Sequence, residues 1–104
     1  MEAVMEKHPN ARWIYDADLT EQLGDTDTTL ANESVTATSS DGSDATPTIV
    51  GAVSKSGLVV TAVLRDGEHG EDYHLLFKAV GNVSARLATH TLEMRVRSDS
   101  LGNF

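Results

Sequence analysis

A run of seven apolar and β-branched residues occupies positions 58–64, with the sequence Leu-Val-Val-Thr-Ala-Val-Leu. Turn residues border the run on both sides, with Ser56 and Gly57 before it and Asp66 and Gly67 after it. This composition and length are typical of a strand, and apolar residues on both faces predict a central strand covered on both sides. The neighbouring sequence is therefore expected to supply a β-sheet around it.

Alternating patterns on either side of this run predict the remaining strands. The predicted strands are Arg12–Asp18, Leu30–Thr38, Thr48–Val53, Asp72–Val80 and Ala85–Arg97. Between the first two of these, residues 19–24 predict one helical turn. Strands at a spacing of roughly 8–12 residues predict an all-β, immunoglobulin-like antiparallel β-sandwich of about seven strands. We expect an N-terminal arm over residues 1–10, the sandwich over 11–97 and a C-terminal tail over 98–104.

Tyr73 narrows the type of sandwich. It begins the alternating strand after residues 67–70, a polar turn that contains Gly67 and Gly70. Immunoglobulin-like domains place a tyrosine at this corner, where its hydroxyl bonds a backbone group a few residues upstream. We therefore predict a structural tyrosine corner at Tyr73, with an ordinary core tyrosine as the alternative.

Charge is distributed unevenly along the chain. The 104 residues carry 16 acidic and 8 basic side chains, a net charge of −8, and have no cysteine. Residues 13–54 hold eight of the acids and neither Lys nor Arg. Such a balance disfavours nucleic acid and anionic membranes as partners, and the lack of cysteine excludes disulfides and thiolate metal sites. The sequence has no secretory or transmembrane pattern, and we expect the acids on the outer side of the first strand and in the loops 25–28 and 41–44.

The four histidines predict no metal site. His69 is expected in a turn and His8 in the arm, while His74 and His90 are expected to face outward from their strands. Zinc needs three or four converging ligands, and the sequence has no His-x-His or His-x₃-His pair. We predict four surface histidines and no cofactor.

The acidic loops resemble calcium loops only in part. Counting from Asp25 or from Asp41, position 12 is Thr36 or Ala52, where a hand-type loop needs glutamate. A calcium site of another type stays an alternative. The sequence also contains no Gly-x-Ser-x-Gly motif and no readable set of titratable groups, so we predict that the protein is not an enzyme.

The two ends of the chain carry apolar residues that suit docking. Val4 and Met5 lie in the predicted arm, and Leu101 and Phe104 lie in the predicted tail. Small sandwiches have open edge strands, which short apolar segments can pair with or cover. We predict these four residues as a partner interface.

The order of several short motifs resembles a family of small tailed-bacteriophage proteins, the fiber–tail adaptor or neck-associated virion proteins. The motifs that carry the resemblance are Lys7–Pro9, Trp13–Asp16, Leu23–Thr28, Val63–Gly67, Gly70–Tyr73 and Glu93–Arg97. Two positions differ from the family pattern: the tryptophan comes earlier, at Trp13, and a paired glycine is replaced by Asp66-Gly67.

The resemblance implies a non-enzymatic structural protein of a phage virion. It would be a small adaptor at the neck, tail or fiber attachment site, joining other virion structural proteins in a symmetric multi-copy assembly built in the host cytoplasm. No functional residue is carried over, because the matching motifs are turns and core positions. A capsid decoration protein, and a carbohydrate- or calcium-binding β-sandwich module, are the alternatives.

Overall fold

The structure, a computed structural model, describes residues 3–9, 11–24 and 26–97. In chain order the elements are β1 (Ala3–Lys7), β2 (Trp13–Asp18), α1 (Thr20–Leu23), β3 (Leu30–Ser39), α2 (Thr46–Ile49), β4 (Val50–Ser56), β5 (Val59–Leu64), β6 (Asp72–Gly81) and β7 (Leu87–Val96). Each helix has only four residues. The predicted all-β class is confirmed.

The strands form two sheets in the immunoglobulin order. One sheet has the order β1-β7-β6-β3 and the other the order β2-β5-β4. Immunoglobulin domains join strands B, E and D in one sheet and C, F and G in the other. With β2 taken as strand B, the same two groups result, and β1 lies parallel to β7 at the edge of the larger sheet. The predicted immunoglobulin-like sandwich of seven strands is confirmed.

β5 is the central strand of the smaller sheet, as the apolar run predicts. Val60, Ala62 and Leu64 are fully buried against the opposite sheet. Val59 and Val63, on the other side, are only half-buried. The expectation that both faces are covered is wrong for the described chain, because one partner sheet covers only one face of a two-layer sandwich.

β6 and β7 supply most of the core from the larger sheet. Their inward residues face one another in register, in the pairs Tyr73 with Met94, Leu75 with Leu92, Phe77 with His90 and Ala79 with Ala88. All of these side chains except His90 are buried. Period-two alternation therefore identifies the core side of both strands correctly.

The N-terminal segment differs from its prediction as an arm. Residues 3–7 form β1 and pair with β7, from Ala3 beside Leu92 to Lys7 beside Val96. The segment belongs to the sandwich because the edge of β7 offers backbone groups that need partners. The predicted tail, residues 98–104, lies outside the described residues.

Lys7 is fully buried at the end of β1. Its ammonium donates to the carbonyl oxygens of His8 at 2.9 Å and Ala11 at 2.8 Å. Burial lowers the pKa of Lys7, and the nearby Asp66 carboxylate opposes that shift. Lys7 thus satisfies the carbonyls of the turn that carries the chain from one sheet to the other.

Candidate functional site

The corner between β5 and β6 is built around Tyr73. Its side chain is buried, and its hydroxyl accepts a hydrogen bond from the N–H of Glu68 at 3.1 Å. Gly67 has φ of +99°, and a Cβ there would lie 2.8 Å from Cγ2 of Val96 and 3.3 Å from the Tyr73 ring. This contact has the geometry of a tyrosine corner, and the glycine gives the ring its space.

Tyr73→Phe is expected to destabilise the fold by about 1–2 kcal/mol, because the N–H of Glu68 loses its acceptor beside a buried ring. Urea unfolding of the variant beside the wild type measures this difference. An unchanged free energy of unfolding would show that the hydroxyl contributes nothing and that Tyr73 acts only as a core side chain.

A pocket of about 550 Å³ opens beside this corner, between the loop that follows β3 and the β5–β6 connection. Its lining includes Tyr73 and the carboxylates of Asp41, Asp44, Asp66, Glu68 and Glu71. The volume is within the range of small-molecule sites. Five of the lining residues are acidic, so the pocket disfavours an anionic ligand.

The aspartates of the loop 41–44 are engaged within their own loop. Asp41 accepts hydrogen bonds from the Ser39 hydroxyl and from the hydroxyl and N–H of Ser43, the last two at 2.7 and 3.0 Å. These bonds, that from Ser39 first, lower the pKa of Asp41 to about 2. Asp44 likewise accepts from the hydroxyl and N–H of Thr46, which lowers its pKa. Both carboxylates thus shape turns, as Asp commonly does.

The histidines do not converge. Among the described residues, no group of three or more His, Asp or Glu side chains could hold a metal ion. His74 lies exposed on β6, as expected, but the expectation that His90 faces outward is wrong. His90 pairs with Phe77 across β6 and β7 and so faces the inner side of the sheet. The sequence offered a signal for this orientation, because Ala88 and Leu92, two residues before and after His90, are apolar and lie on the same face of the strand.

His90 and Tyr15 join the two sheets. The Tyr15 hydroxyl lies 2.6 Å from Nε2 of His90, and both rings pack near Phe77. In the neutral tautomer with its proton on Nδ1, His90 accepts this hydrogen bond. Burial raises the pKa of Tyr15 and lowers that of His90, because each charged form would lose hydration between the sheets.

This burial predicts a loss of stability in mild acid. The pKa of His90 in the fold lies below its ordinary value of 6.5, so the unfolded chain binds a proton first as the pH falls. The contribution of the neutral His90 side chain to the free energy of unfolding is complete above about pH 6.5. It declines as the pH falls toward the lower pKa that His90 has in the fold. Urea midpoints from about pH 5 to 8 should fall less steeply in His90→Gln than in the wild type. Identical slopes would contradict the buried, neutral imidazole.

Asp27 ties two loops together at the other end of the sandwich. It is 2% exposed, and its Oδ1 accepts from the N–H groups of Val83 and Ser84, each at 2.8 Å. Its Oδ2 accepts from the Ser84 hydroxyl at 2.6 Å. The bonds from Ser84, its hydroxyl first, hold the pKa of Asp27 below the ordinary value. A Cβ on Gly81 would overlap this carboxylate, so the approach requires glycine there.

Asn82 adds a second set of bonds between the same loops. Its side-chain oxygen accepts from the N–H groups of Thr28 and Thr29, at 3.1 and 3.2 Å. Its own N–H donates to the Thr29 carbonyl at 3.1 Å. We call residues 19–24, 26–29 and 81–86 together the loop end. These loops correspond to the B–C and F–G loops, which carry the binding residues of immunoglobulin variable domains.

Large apolar side chains are exposed at the loop end and on both sheets. Val83, in the β6–β7 turn, is 68% exposed, Leu87 follows it, and Ile14 on β2 is 67% exposed. Of the predicted interface residues, Val4 is 56% exposed on β1. Met5 is partly buried and packs against the core, because it alternates with Val4 along β1.

The other two predicted interface residues, Leu101 and Phe104, lie outside the described residues, as does Asp25 of the acidic loop 25–28. The sequence patterns did not identify Val83 and Ile14 as exposed surface residues or Asp27 as a residue that links two loops. An apolar residue between Asn82 and Ser84, inside a polar turn, was the available signal for Val83. No comparable signal marked Asp27, which has the appearance of an ordinary turn residue.

Comparison with known proteins adds no relative. No family model matches the chain, and no curated protein matches it. Among the described helices, none has the length and apolar composition needed to cross a membrane. The fold and its loop end therefore define the class, an immunoglobulin-like β-sandwich.

Proposed function

We propose that the protein is a structural component of a bacteriophage virion, a small adaptor at the neck, tail or fiber attachment site that joins larger components. One observation carries the proposal: the loop end is fixed by Asp27 and Asn82 and presents Val83 to solvent. A contact residue held on rigid loops loses little conformational entropy when it binds. Joining of this kind requires no catalytic group.

The distribution of side chains supports a joining role over a reaction site. The carboxylates of Asp27, Asp41 and Asp44 accept hydrogen bonds that shape loops. Removing an exposed apolar side chain such as Val83 from water in a complex lowers the free energy and stabilises the contact. We propose a virion component because the motifs from Lys7–Pro9 to Glu93–Arg97 occur in an order that resembles the adaptor family.

Incorporation into particles tests this function. The chain carrying Val83→Asp is expressed during infection in place of the wild type, and purified particles are examined by electron microscopy and quantitative mass spectrometry. Wild-type chain is expected at a ring or fiber base, and Val83→Asp is expected to be lost from the particle. Ile14→Asp, a change at an equally exposed position on the other sheet, is the matched control and should still be incorporated.

The outcomes separate the parts of the proposal. Finding the wild-type chain only as a free monomer in the lysate overturns the virion role. If Ile14→Asp is lost from the particles and Val83→Asp is retained, the virion role stands. The contact with the partner then lies on β2 and not at the loop end. A copy number close to that of the major capsid protein would indicate a capsid decoration protein instead.

The pocket beside Tyr73 favours carbohydrate binding as a second candidate function. It has about 550 Å³ and combines one aromatic ring with hydroxyl and carboxylate groups, which can bind sugar hydroxyls. A glycan array, followed by titration of the positive sugars by NMR, tests it. Shifts confined to residues 39–48 and 66–73 would support this function, and an empty array would remove it. Calorimetry with calcium tests the remaining alternative in the same way.

A further inference from the structure

The larger sheet has an outer face on the side away from the core. Thr36, Leu76 and Thr91 lie side by side at the centre of this face, on β3, β6 and β7. The threonines are exposed and Leu76 is half-buried. We call the surface around this central row the outer face. Its centre is free of charge, which suits packing against another sheet.

The charges on the outer face balance. Glu6 and Glu93 supply two carboxylates, and Lys78 and Arg95 supply two cations; Asp72, opposite Arg95 at the start of β6, is matched by Arg97 in an ion pair at 3.0 Å, so the sum is zero. Glu93 and Arg95 form an ion pair at 2.8 Å. The chain as a whole carries −8, so two copies repel one another through most other approaches. A neutral face is where a second copy meets the least repulsion.

The positive Lys78 and the negative Glu93 lie on opposite sides of the central row, measured along the strands. Lys78 lies two residues from Leu76 along β6, while His74, beside Glu93 of β7, lies two residues away on the other side. Each displacement is about 7 Å along the strands. A two-fold axis that crosses the strands at Leu76 therefore brings Lys78 of one copy over the His74 and Glu93 row of the other.

Lys78 is available for such a contact. Within residues 3–9, 11–24 and 26–97 its ammonium group has no hydrogen-bond or ion-pair partner. A carboxylate has two oxygens and can accept a second cation besides Arg95. The two-fold axis repeats the contact, so each dimer gains two Lys78–Glu93 ion pairs around a pair of Leu76 side chains.

We propose that the outer face is a self-association surface on which a second copy of this chain packs face to face, with its strands running the opposite way. Four strands about 4.8 Å apart and about eight residues long cover roughly 500 Å², less than the ~800 Å² that each partner buries in a standard interface. The dimer is therefore weak in dilute solution and forms where copies are concentrated. The inference concerns this chain alone and goes beyond the virion role.

Sedimentation velocity over about 1–500 µM chain tests the proposal. The wild type is expected to shift from monomer to dimer with concentration, and Leu76→Asp is expected to stay monomeric. Thr36→Lys, in the same row but at an exposed edge position, repeats the test if Leu76→Asp fails to fold. Ile14→Asp on the opposite sheet is the matched control and should dimerise like the wild type.

A charge exchange tests the arrangement of the two copies. Lys78→Glu is expected to raise the dimer dissociation constant about tenfold, because it places carboxylates opposite one another. The double variant Lys78→Glu with Glu93→Lys should recover most of that loss. A wild type that is monomeric throughout, or a Leu76→Asp variant that still dimerises, overturns the self-association. Dimerisation without recovery in the double variant overturns the antiparallel arrangement, and none of these results bears on incorporation into particles.

Discussion

Replacing Asp27 with asparagine is expected to lower the midpoint of thermal unfolding by about 10 °C. Asparagine keeps the size of the side chain, and its oxygen can still accept from the N–H groups of Val83 and Ser84. Its NH2 group, however, replaces Oδ2, the acceptor of the Ser84 hydroxyl, and the remaining bonds lose the carboxylate charge that strengthens them. Calorimetry measures the midpoint, and hydrogen exchange at the amides of residues 83 and 84 locates the loss.

A matched control separates this effect from the loss of one negative charge. Asp16 is exposed on β2 and accepts a single hydrogen bond, from the Thr61 hydroxyl at 2.6 Å. Asp16→Asn should shift the midpoint by no more than about 2 °C. Equal shifts in the two variants would contradict the special position of Asp27 and point to the net charge instead.

The same carboxylate should make the loop end sensitive to strong acid. The pKa of Asp27 is lowered in the fold, so the unfolded chain takes up the proton first as the pH falls. The stabilisation is complete above about pH 4, near the unfolded value, and is lost as the pH falls through the lower folded pKa. Between about pH 2 and 6 the wild type should therefore lose stability more steeply than Asp27→Asn. Parallel curves would mean that the carboxylate is not held in its charged form.

Gly67→Ala is expected to reduce the free energy of unfolding by about 3 kcal/mol. The φ of +99° is strained for any residue with a Cβ. The new methyl group would also lie 2.8 Å from Cγ2 of Val96, a packed core side chain that has no room to move. Urea unfolding measures the change, and it should exceed that of Tyr73→Phe.

Gly70 provides the control for this prediction. It also has a positive φ, +86°, but no atom lies within 4 Å of its Cβ position. Gly70→Ala should therefore show only the backbone strain, about 1 kcal/mol. If both variants lose the same stability, packing between Gly67 and Val96 contributes nothing and the corner is less tightly filled than its geometry indicates.

Strands with a strong local sequence pattern could be predicted. A strand that forms only because another strand offers it an unpaired edge could not. β5 and β6 alternate or run apolar between turn residues, so their positions follow from the sequence. β1 consists of Ala-Val-Met-Glu-Lys, a stretch with no period. It becomes a strand because β7, some ninety residues later, offers an unpaired edge.

The same distinction applies to the candidate site. Tyr73 could be predicted because its partner, Glu68, lies five residues away in the same turn. His90 and Tyr15 are 75 positions apart, and Asp27 and Val83 are 56 apart. No local sequence pattern predicts such a pairing, because the two partners become neighbours only when distant segments pack together in the fold. The acidic first half illustrates this, since Asp16 is solvated as expected whereas Asp27 is buried.

The parallel pair of β1 and β7 also has a consequence for synthesis. During translation β1 leaves the ribosome before every other described strand, while β7, its partner among the described strands, leaves after all the others. Until then Met5 and Lys7 have no strand beside them, and β6 exposes the edge that β7 later fills. Long-range pairings of this kind form slowly. β1 therefore remains unpaired until β7 has been synthesised, so the larger sheet is completed later than the smaller sheet of β2, β5 and β4.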